Sequence, residues 1–126
     1  MAARAVGSTA GASSFAILGG GNGGFCMAAD LALRSFEVRL FELPAFAHSL
    51  APVIQAGGIA LRGVAGEGFA RPALVTTHIG AALEGVEVVM TVVPAVGHRT
   101  MAQACAPHLK PDQTVVLTPG GCGGAL

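Results

Sequence analysis

Six residues, GGGNGG at positions 19–24, constrain the fold of this 126-residue chain more than any other feature. An apolar run, FAIL at 15–18, comes just before them and predicts a buried strand. The segment that follows, FCMAADLALR at 25–34, is rich in helix-forming residues. The sequence therefore predicts a strand that ends in a tight glycine turn and continues directly into a helix.

The predicted helix has a face suited to close packing. Positions three and four apart along it carry one aromatic residue and three alanines: Phe25, Ala28, Ala29 and Ala32. Side chains at this spacing lie on one face of a helix, and small side chains let that face approach a sheet closely. Elsewhere on the helix Asp30 and Arg34 stand four residues apart, which predicts a solvent-exposed ion pair.

Strand-like and helix-like segments alternate along the remaining chain. Strands are predicted at three short runs, 37–43, 86–93 and 113–118. A hairpin or strand pair is predicted from two further segments, 57–63 and 69–77. Helical segments are predicted at 45–56, 79–84 and 95–109. Because strands that alternate with helices form parallel sheets with right-handed crossovers, the predicted fold class is α/β with a doubly wound parallel sheet.

One domain is expected, over residues 15–126. Residues 1–14 are mostly Ala, Gly, Ser and Thr with one arginine and no acid, which predicts a flexible leader and leaves an organellar transit peptide open. A glycine-rich turn after the last strand should open a helix that covers the sheet, but the sequence stops there at Leu126. We therefore interpret the chain as a truncated part of a longer protein, cut after the fifth main strand. A small complete domain, closed by oligomerisation, is the alternative.

Composition and charge exclude several classes of function. Seven basic and seven acidic residues cancel, so the positive surface that nucleic-acid binding needs is absent. The sequence has no run of about 20 uncharged apolar residues, so no membrane span is predicted. Three cysteines without a CxxC pair, and four histidines with no two at a spacing of four, predict neither a disulfide framework nor a metal site. The expected location is a reducing compartment, the cytoplasm.

The glycines at 19, 21 and 24 have the spacing GxGxxG, which is the fingerprint of a dinucleotide-binding turn. Gly19 permits the tight turn, Gly21 lets a pyrophosphate approach the backbone, and Gly24 lets the helix pack on the strand. The helix N-terminus offers N–H groups and a partial positive charge to the phosphates. A flexible glycine loop is the alternative, but the strand before the motif and the helix after it favour a Rossmann-type fold with a dinucleotide cofactor.

Glu42 predicts which dinucleotide is bound. It stands at the end of the second predicted strand, eighteen residues after Gly24, near the spacing of about 20 expected for the acid that binds the ribose 2′-OH. A carboxylate accepts a hydrogen bond from that hydroxyl and repels a 2′-phosphate, and residues 43–48 contain no Arg or Lys. The sequence therefore predicts NAD rather than NADP, with an exposed strand-end acid as the alternative reading of Glu42.

Two strand ends add candidate residues to the cofactor cleft. Ligands of open α/β sheets lie outside the carboxyl ends of the strands. Val93 and Pro94 end the strand at 86–93, and Pro119 follows the strand at 113–118. We expect these residues to shape the cleft, although turn chemistry alone would also explain their types.

Three segments together resemble the amino-terminal domain of opine dehydrogenases, the octopine/nopaline dehydrogenase family: FAILGGGNGGFCMAADLAL, TVVPAVGH and VVLTPGGCGGAL. The glycine run is shared with a broader superfamily that includes glycerol-3-phosphate dehydrogenase, ketopantoate reductase and 6-phosphogluconate dehydrogenase. The patterns VVPAxxH and TPGxxGGAL favour the opine branch. The resemblance covers residues 15–126.

The resemblance implies an NAD(P)H-dependent reductive condensation, in which an amino acid and a 2-keto acid form an imine that hydride reduces to a secondary amine. It implies that Glu42 binds the adenosine ribose and that the pyrophosphate is carried by Gly19, Gly21, Asn22, Gly23 and Gly24. His98, the histidine of VVPAxxH, is expected at the start of a helix and facing the cofactor cleft. The family's catalytic His–Asp pair belongs to a separate carboxyl-terminal helical domain, so no catalytic residue is assigned in this chain.

The resemblance also implies which partners to expect. These are the dinucleotide and, through the missing domain, small amino-acid and keto-acid substrates; a homo-oligomer is also open. Two alternative functions remain at this stage. One is a stand-alone nucleotide-binding module without catalysis, and the other is the cofactor domain of a glycerol-3-phosphate or ketopantoate-type dehydrogenase.

Overall fold

The computed structural model describes residues 13–63 and 67–118 of the chain. Its strands are β1 (Ser14–Leu18), β2 (Glu37–Phe41), β3 (Ile59–Leu61), β4 (Gly68–Ala70), β5 (Leu74–Thr76), β6 (Val88–Val92) and β7 (Thr114–Thr118). Its α-helices are α1 (Asn22–Leu33), α2 (Ala51–Ala56), α3 (Ile79–Leu83) and α4 (His98–Cys105). Short 3₁₀ segments lie at Pro44–Leu50, Ala95–Gly97 and Ala106–His108.

Five of these strands form one parallel sheet in the order β5-β2-β1-β6-β7. Leu18 at the end of β1 pairs with Phe41 of β2 and with Thr91 of β6, so these strands end at the same edge. The chain runs outward from β1 to β2 and β5, and then returns to place β6 and β7 on the other side. This reversal of strand order is the feature that opens a crevice at the carboxyl ends of the strands. The predicted α/β fold with a doubly wound parallel sheet is confirmed.

The segment predicted as one half of a hairpin divides into two strands that belong to different sheets. β3 and β4 pair antiparallel in a small separate sheet, which confirms the hairpin itself. The prediction of one strand over 69–77 is wrong, because β5 pairs with β2 in the main sheet instead of continuing β4. Pro72 lies between them and has no N–H with which to continue a ladder. The next residue, Ala73, donates its amide to the Val38 carbonyl at 2.7 Å and so attaches the chain to β2.

Two predicted helices are shorter than the sequence suggested. The segment at 45–56 is a 3₁₀ helix that gives way to α2, and each part has a proline in its first turn, where a missing N–H is tolerated. The segment at 95–109 contains α4 between two 3₁₀ turns. By contrast, α1 starts at Asn22, before the predicted start at Phe25, so Gly23 and Gly24 are helical.

Hydrophobic clusters cover both faces of the main sheet. On one face, α1 and the small β3–β4 sheet pack over alternate strand residues such as Phe15, Ile17 and Leu40. The predicted face of α1 lies there, since Ala28 and Ala29 are fully buried. On the other face, α3 and α4 pack over the remaining strand residues, including Ala16, Leu18 and Val89. The predicted ion pair lies outside this core, with 3.3 Å between Arg34 Nε and Asp30 Oδ1.

The edge where β1, β6 and β7 begin, which we call the amino edge, is closed by polar side chains. The Gln113 side chain is buried and donates from Nε2 to the Leu83 and Val86 carbonyls at 2.7 and 3.0 Å. Its Oε1 accepts from the Lys110 amide at 2.8 Å. Glu87 Oε1 accepts from the Ser13 amide and hydroxyl, both at 2.9 Å. These bonds hold the first described residues and the entry to β7 in place.

Some expectations fall on residues outside the described ranges. These are most of the predicted leader, residues 1–12, and Pro119 with the chain that follows it. Ser14 of the predicted leader is already part of β1. Over residues 13–63 and 67–118, no helix has the length and hydropathy needed to cross a bilayer, and no three metal-ligating side chains come together.

Candidate cofactor-binding site

The turn between β1 and α1 needs glycine at two positions for packing reasons. Gly19 has a φ of +134°, and a Cβ on it would overlap the Val92 carbonyl oxygen of β6. Its amide donates to the Phe41 carbonyl at 2.8 Å, so it lies between the ends of β2 and β6. A Cβ on Gly24 would overlap the Gly19 carbonyl oxygen. The first and last glycines of the motif therefore allow the helix to start against the strand end, as the sequence predicts.

The second glycine of the motif faces open space. Gly21 is the N-cap of α1, with φ −94° and ψ −174°, and a Cβ on it would meet nothing within 4 Å. Gly21 has no side chain with which to cap the helix, and the first turn of α1 contains no acid. The first amide with a helical partner is that of Phe25, which donates to the Gly21 carbonyl at 2.9 Å. The N–H groups of the first turn, including those of the exposed Asn22 and Gly23, therefore have no partner within the helix.

Glu42 lies beside this turn and is held by backbone amides. It is only 8% exposed, so it is not a free strand-end acid. Its Oε2 accepts from the Gly20 amide at 2.6 Å, and its Oε1 accepts from the Leu43 amide at 2.8 Å. A carboxylate can accept about four hydrogen bonds, so each oxygen keeps capacity for a further donor. The structure thus brings the predicted ribose acid directly onto the glycine turn.

Sequence reasoning missed two residues of this region, Gly20 and Ser49. Gly20 occupies a position that the GxGxxG spacing leaves unspecified. A Cβ on it would lie 2.6 Å from Ser49 Oγ and 3.2 Å from Glu42 Oε2. Ser49 comes from the 3₁₀ segment after β2, and its hydroxyl donates to the Phe46 carbonyl at 2.9 Å. No sequence signal could have found Ser49, because its closeness to the turn depends on how the 3₁₀ segment folds back.

The residues predicted after β6 differ in their surroundings. Val93 is half-buried in the cluster under α3 and α4, and its Cγ1 would lie 3.0 Å from a Cβ on Gly19. It therefore meets the glycine turn. Pro94 is exposed, and its carbonyl accepts from the Gly97 amide at 2.7 Å to form the turn that leads into α4. Pro119 lies outside the described residues, so the structure shows nothing of its place.

His98 is the first residue of α4, as predicted from its position after the VVPA segment. It shares a helix face with Met101 and Cys105, which are three and seven residues further on and buried under the sheet. Since α4 follows β6 through one short turn, His98 lies at the carboxyl edge of the sheet, where the glycine turn also lies. Its Nε2 is buried and has no hydrogen-bond partner among the described residues. A buried polar atom without a partner is uncommon and calls for a ligand atom or water.

Two surface cavities of the described residues lie away from this site. One of about 310 Å³ opens at the amino edge beside Glu87 and Lys110. Another of about 260 Å³ lies between α2 and β5, beside Ile54 and Pro72. Neither is lined by the glycine turn, Glu42 or His98.

Comparison with known proteins decides the family. Residues 14–122 match the family described as NAD-dependent glycerol-3-phosphate dehydrogenase N-terminus. The chain belongs to this family. The match includes every described element from β1 to β7. It confirms the predicted cofactor, NAD.

Proteins with similar sequences and structures favour the opine branch. An opine dehydrogenase of Arthrobacter sp. (strain 1C) is 36% identical over 113 residues, which are 90% of this chain and 31% of that protein. Octopine dehydrogenase solved with NADH and pyruvate is 28% identical, with a TM-score of 0.77 over 88% of this chain and 30% of that chain. Octopine dehydrogenase solved with NADH and L-arginine is 27% identical, with a TM-score of 0.73 over 88% of this chain and 29% of that chain.

These relatives confirm the resemblance to the amino-terminal NAD-binding domain of opine dehydrogenases. This chain spans about a third of their length. Solved structures of a glycerol-3-phosphate dehydrogenase and a ketopantoate reductase are under 25% identical and show the fold alone. The alternative based on those enzymes is therefore supported only at the level of the superfamily.

Proposed function

We propose that this chain is the NAD-binding part of an opine-type dehydrogenase, an oxidoreductase that acts on a CH–NH bond. The proposed reaction joins an amino acid and a 2-keto acid as an imine and reduces it to a secondary amine. Support comes from the 36% identity to an opine dehydrogenase and from octopine dehydrogenase structures that contain NADH, pyruvate or L-arginine. The observation that carries the cofactor-binding part of the proposal is the Glu42 carboxylate bonded directly to the backbone of the glycine turn.

The start of α1 would hold the pyrophosphate. Gly21, Asn22 and Gly23 are exposed and offer backbone N–H groups at the positive end of a helix dipole, with no acid in the first turn to repel an anion. The open space at Gly21 leaves room for phosphate oxygens near the backbone. Gly19 and Gly24 contribute shape rather than donors, because they let the helix begin against the strand end.

Glu42 would accept hydrogen bonds from the ribose hydroxyls of the adenosine. Both of its oxygens are held by amides and both retain lone pairs, so the carboxylate is already oriented before a ligand arrives. The charge would repel a 2′-phosphate at the same place. The nearby residues 43–48 supply no Arg or Lys to neutralise that phosphate. NAD is therefore proposed over NADP.

His98, Val93 and Pro94 would face the nicotinamide half of the cofactor. Bound NADH supplies the hydride for the reaction. His98 Nε2, which lacks a partner among the described residues, would bind a polar atom of the cofactor or substrate. Val93 would give the nicotinamide an apolar contact beside the glycine turn. Pro119 belongs to the same proposal, on the sequence alone.

We further propose that residues 15–126 form the cofactor domain and that a separate region binds the amino acid and the keto acid. The short span relative to the matched enzymes supports this division. The cytoplasm is the proposed location, since Cys26 and Cys105 are free thiols.

Calorimetric titration of the 126-residue chain with NADH and with NADPH tests the cofactor proposal. We expect NADH to bind at least about tenfold more tightly, and Glu42→Gln to abolish most of that preference. Glu84→Gln, a matched change at an exposed glutamate, should keep it. Equal or tighter binding of NADPH by the folded wild-type chain would contradict the proposed role of Glu42.

Assays of turnover test the reaction class. The 126-residue chain should bind NADH without oxidising it in the presence of pyruvate and an amino acid, whereas a protein of the relatives' length should oxidise it. Turnover by the short chain would overturn the proposed division of labour. Reduction of NAD by glycerol 3-phosphate, without activity towards amino acids, would move the protein to the other branch of the family.

A further inference from the structure

Gly20 affects Glu42 in two ways, through a hydrogen bond from its amide and through the space at its Cα. Its amide donates to Glu42 Oε2 at 2.6 Å, which is a short, charge-assisted hydrogen bond in a buried setting. Its Cα faces a space that is already filled, because a Cβ would lie 2.6 Å from Ser49 Oγ and 3.2 Å from both Glu42 Oε2 and Leu50 Cδ2. One residue thus donates to the carboxylate and also leaves the room that the carboxylate and its neighbours occupy.

The groups around Gly20 have limited freedom to move away. Leu50 is 1% exposed and belongs to the core cluster under α1. The Ser49 hydroxyl is committed to the Phe46 carbonyl at 2.9 Å, so rotating it breaks that bond. Glu42 is the remaining neighbour, and among the described residues it is held by the amides of Gly20 and Leu43. A side chain at position 20 would therefore displace Ser49 or Glu42 first.

The backbone at Gly20 does not itself require glycine. Its φ lies outside the left-handed region, unlike that of Gly19. An alanine could adopt the same backbone conformation, so the effect of Gly20→Ala would come from the contacts of its Cβ. This separates position 20 from the glycines that the turn needs for its conformation.

We propose that Gly20 is a positioning residue for Glu42, and that the absence of its side chain, enforced by Ser49, sets the preference for NAD over NADP. The amide fixes one carboxylate oxygen, and the space at the Cα lets the segment after β2 close against the glycine turn. The inference rests on the proposed role of Glu42 in cofactor selection. It adds two residues, Gly20 and Ser49, to the determinants of that selection.

A double-mutant cycle tests the proposal. The chains compared are wild type, Gly20→Ala, Ser49→Ala and the double variant, with Glu42→Gln as reference. The measurements are the dissociation constants for NADH and NADPH and the free energy of unfolding of each chain. Gly80→Ala is the matched control, since a Cβ there makes only ordinary contacts of 3.4 Å with the His108 ring.

We expect Gly20→Ala to lower the NADH:NADPH affinity ratio by about tenfold, which is the scale of one charge-assisted hydrogen bond. In the Ser49→Ala background the same change should cost less, because the contact at 2.6 Å is gone. A coupling of at least about threefold in the ratio is expected between the two positions. Gly80→Ala should leave the ratio at its wild-type value.

A second readout does not depend on the cofactor. The amide proton of residue 20 should resonate downfield in the wild-type chain, as short hydrogen bonds to carboxylates require. It should move upfield in Glu42→Gln and in Gly20→Ala, and return part of the way in the double variant. This measurement keeps the proposal testable even if a variant loses affinity for both nucleotides.

Three results would overturn the inference. One is an unchanged ratio in a folded Gly20→Ala chain, and the second is an effect of equal size with and without Ser49. The third is an amide shift at residue 20 that does not respond to Glu42→Gln. Failure of the proposed function looks different: the wild-type chain would not prefer NADH, or Glu42→Gln would not alter its preference.

Discussion

The amino edge of the main sheet and its carboxyl edge, where the strands end, differ in how their polar groups are hydrogen-bonded. At the amino edge, Gln113 satisfies two carbonyls and one amide, and Glu87 ties down the first described residues. At the carboxyl edge, α1 begins at a glycine N-cap, which has no side chain, and His98 Nε2 lacks a partner among the described residues. Both edges belong to the same parallel sheet, so the fold alone does not require the difference.

The difference shows where stability and binding are separated. Internal hydrogen bonds at the amino edge complete the fold. At the carboxyl edge, the first-turn N–H groups of α1 have no partner within the helix, which has a cost in isolation and becomes favourable when an anion binds. Substitutions at the two edges should therefore differ in what they impair.

The largest effect is expected within the carboxyl edge itself, from the same change at two glycines. Gly24→Ala should lower the free energy of unfolding by about 3 kcal/mol, because its Cβ overlaps the Gly19 carbonyl. Gly21→Ala should change it by less than about 0.5 kcal/mol, since no atom lies within 4 Å of its Cβ. Urea unfolding measures both.

The binding effects of these two variants sharpen the comparison. The Gly21→Ala chain should be folded yet bind NADH about tenfold more weakly, because its methyl group would occupy the space proposed for the phosphates. If Gly21→Ala binds like wild type, the pyrophosphate does not approach position 21. If Gly24→Ala is as stable as wild type, the turn is looser than the structure shows.

The next effect concerns the amino edge. Gln113→Ala removes three hydrogen bonds and leaves the Leu83 and Val86 carbonyls buried without their donor. We expect a loss of about 2 kcal/mol in the free energy of unfolding, while the folded protein keeps its affinity for NADH. Gln103→Ala, at an exposed glutamine of α4, should change stability by less than about 0.5 kcal/mol. A weakened NADH affinity in folded Gln113→Ala would contradict the claim that the amino edge contributes to stability and not to binding.

The smallest effect is expected at His98. Replacing it with alanine removes a buried nitrogen that has no partner among the described residues, so the free energy of unfolding should change by less than about 1 kcal/mol. Affinity for NADH should fall about fivefold if Nε2 binds the cofactor. His48→Ala, at an exposed histidine, is the control. A large loss of stability with unchanged affinity would instead make His98 a structural residue.

The framework of the fold could be predicted from the sequence because it depends on local signals. The apolar run at 15–18, the glycine turn and the alanine face of α1 each follow from spacing and residue type, and so does the alternation that gives a parallel sheet. The separation of β5 from β4 could not be predicted as readily. It depends on Pro72 and on a hydrogen bond from Ala73 to a strand far away in the sequence.

The candidate site was predicted to a similar extent and for similar reasons. Gly19, Gly24 and Glu42 stand at spacings that a motif specifies, and the structure brings them together at one edge. Gly20 and Ser49 were missed because their contact arises only when the 3₁₀ segment after β2 packs back on the turn. The unsatisfied Nε2 of His98 likewise depends on burial under neighbouring elements, which no spacing reveals.

Mapping the binding of NADH on the amide spectrum of the chain tests the central claim most directly. The account predicts that shifts on titration concentrate at residues 19–24, Glu42 and His98. The amides of Ser14, Lys110 and Gln113 should stay where they are. Shifts concentrated at the amino edge, or spread evenly over both edges, would contradict the assignment of the cofactor to the carboxyl edge of the sheet.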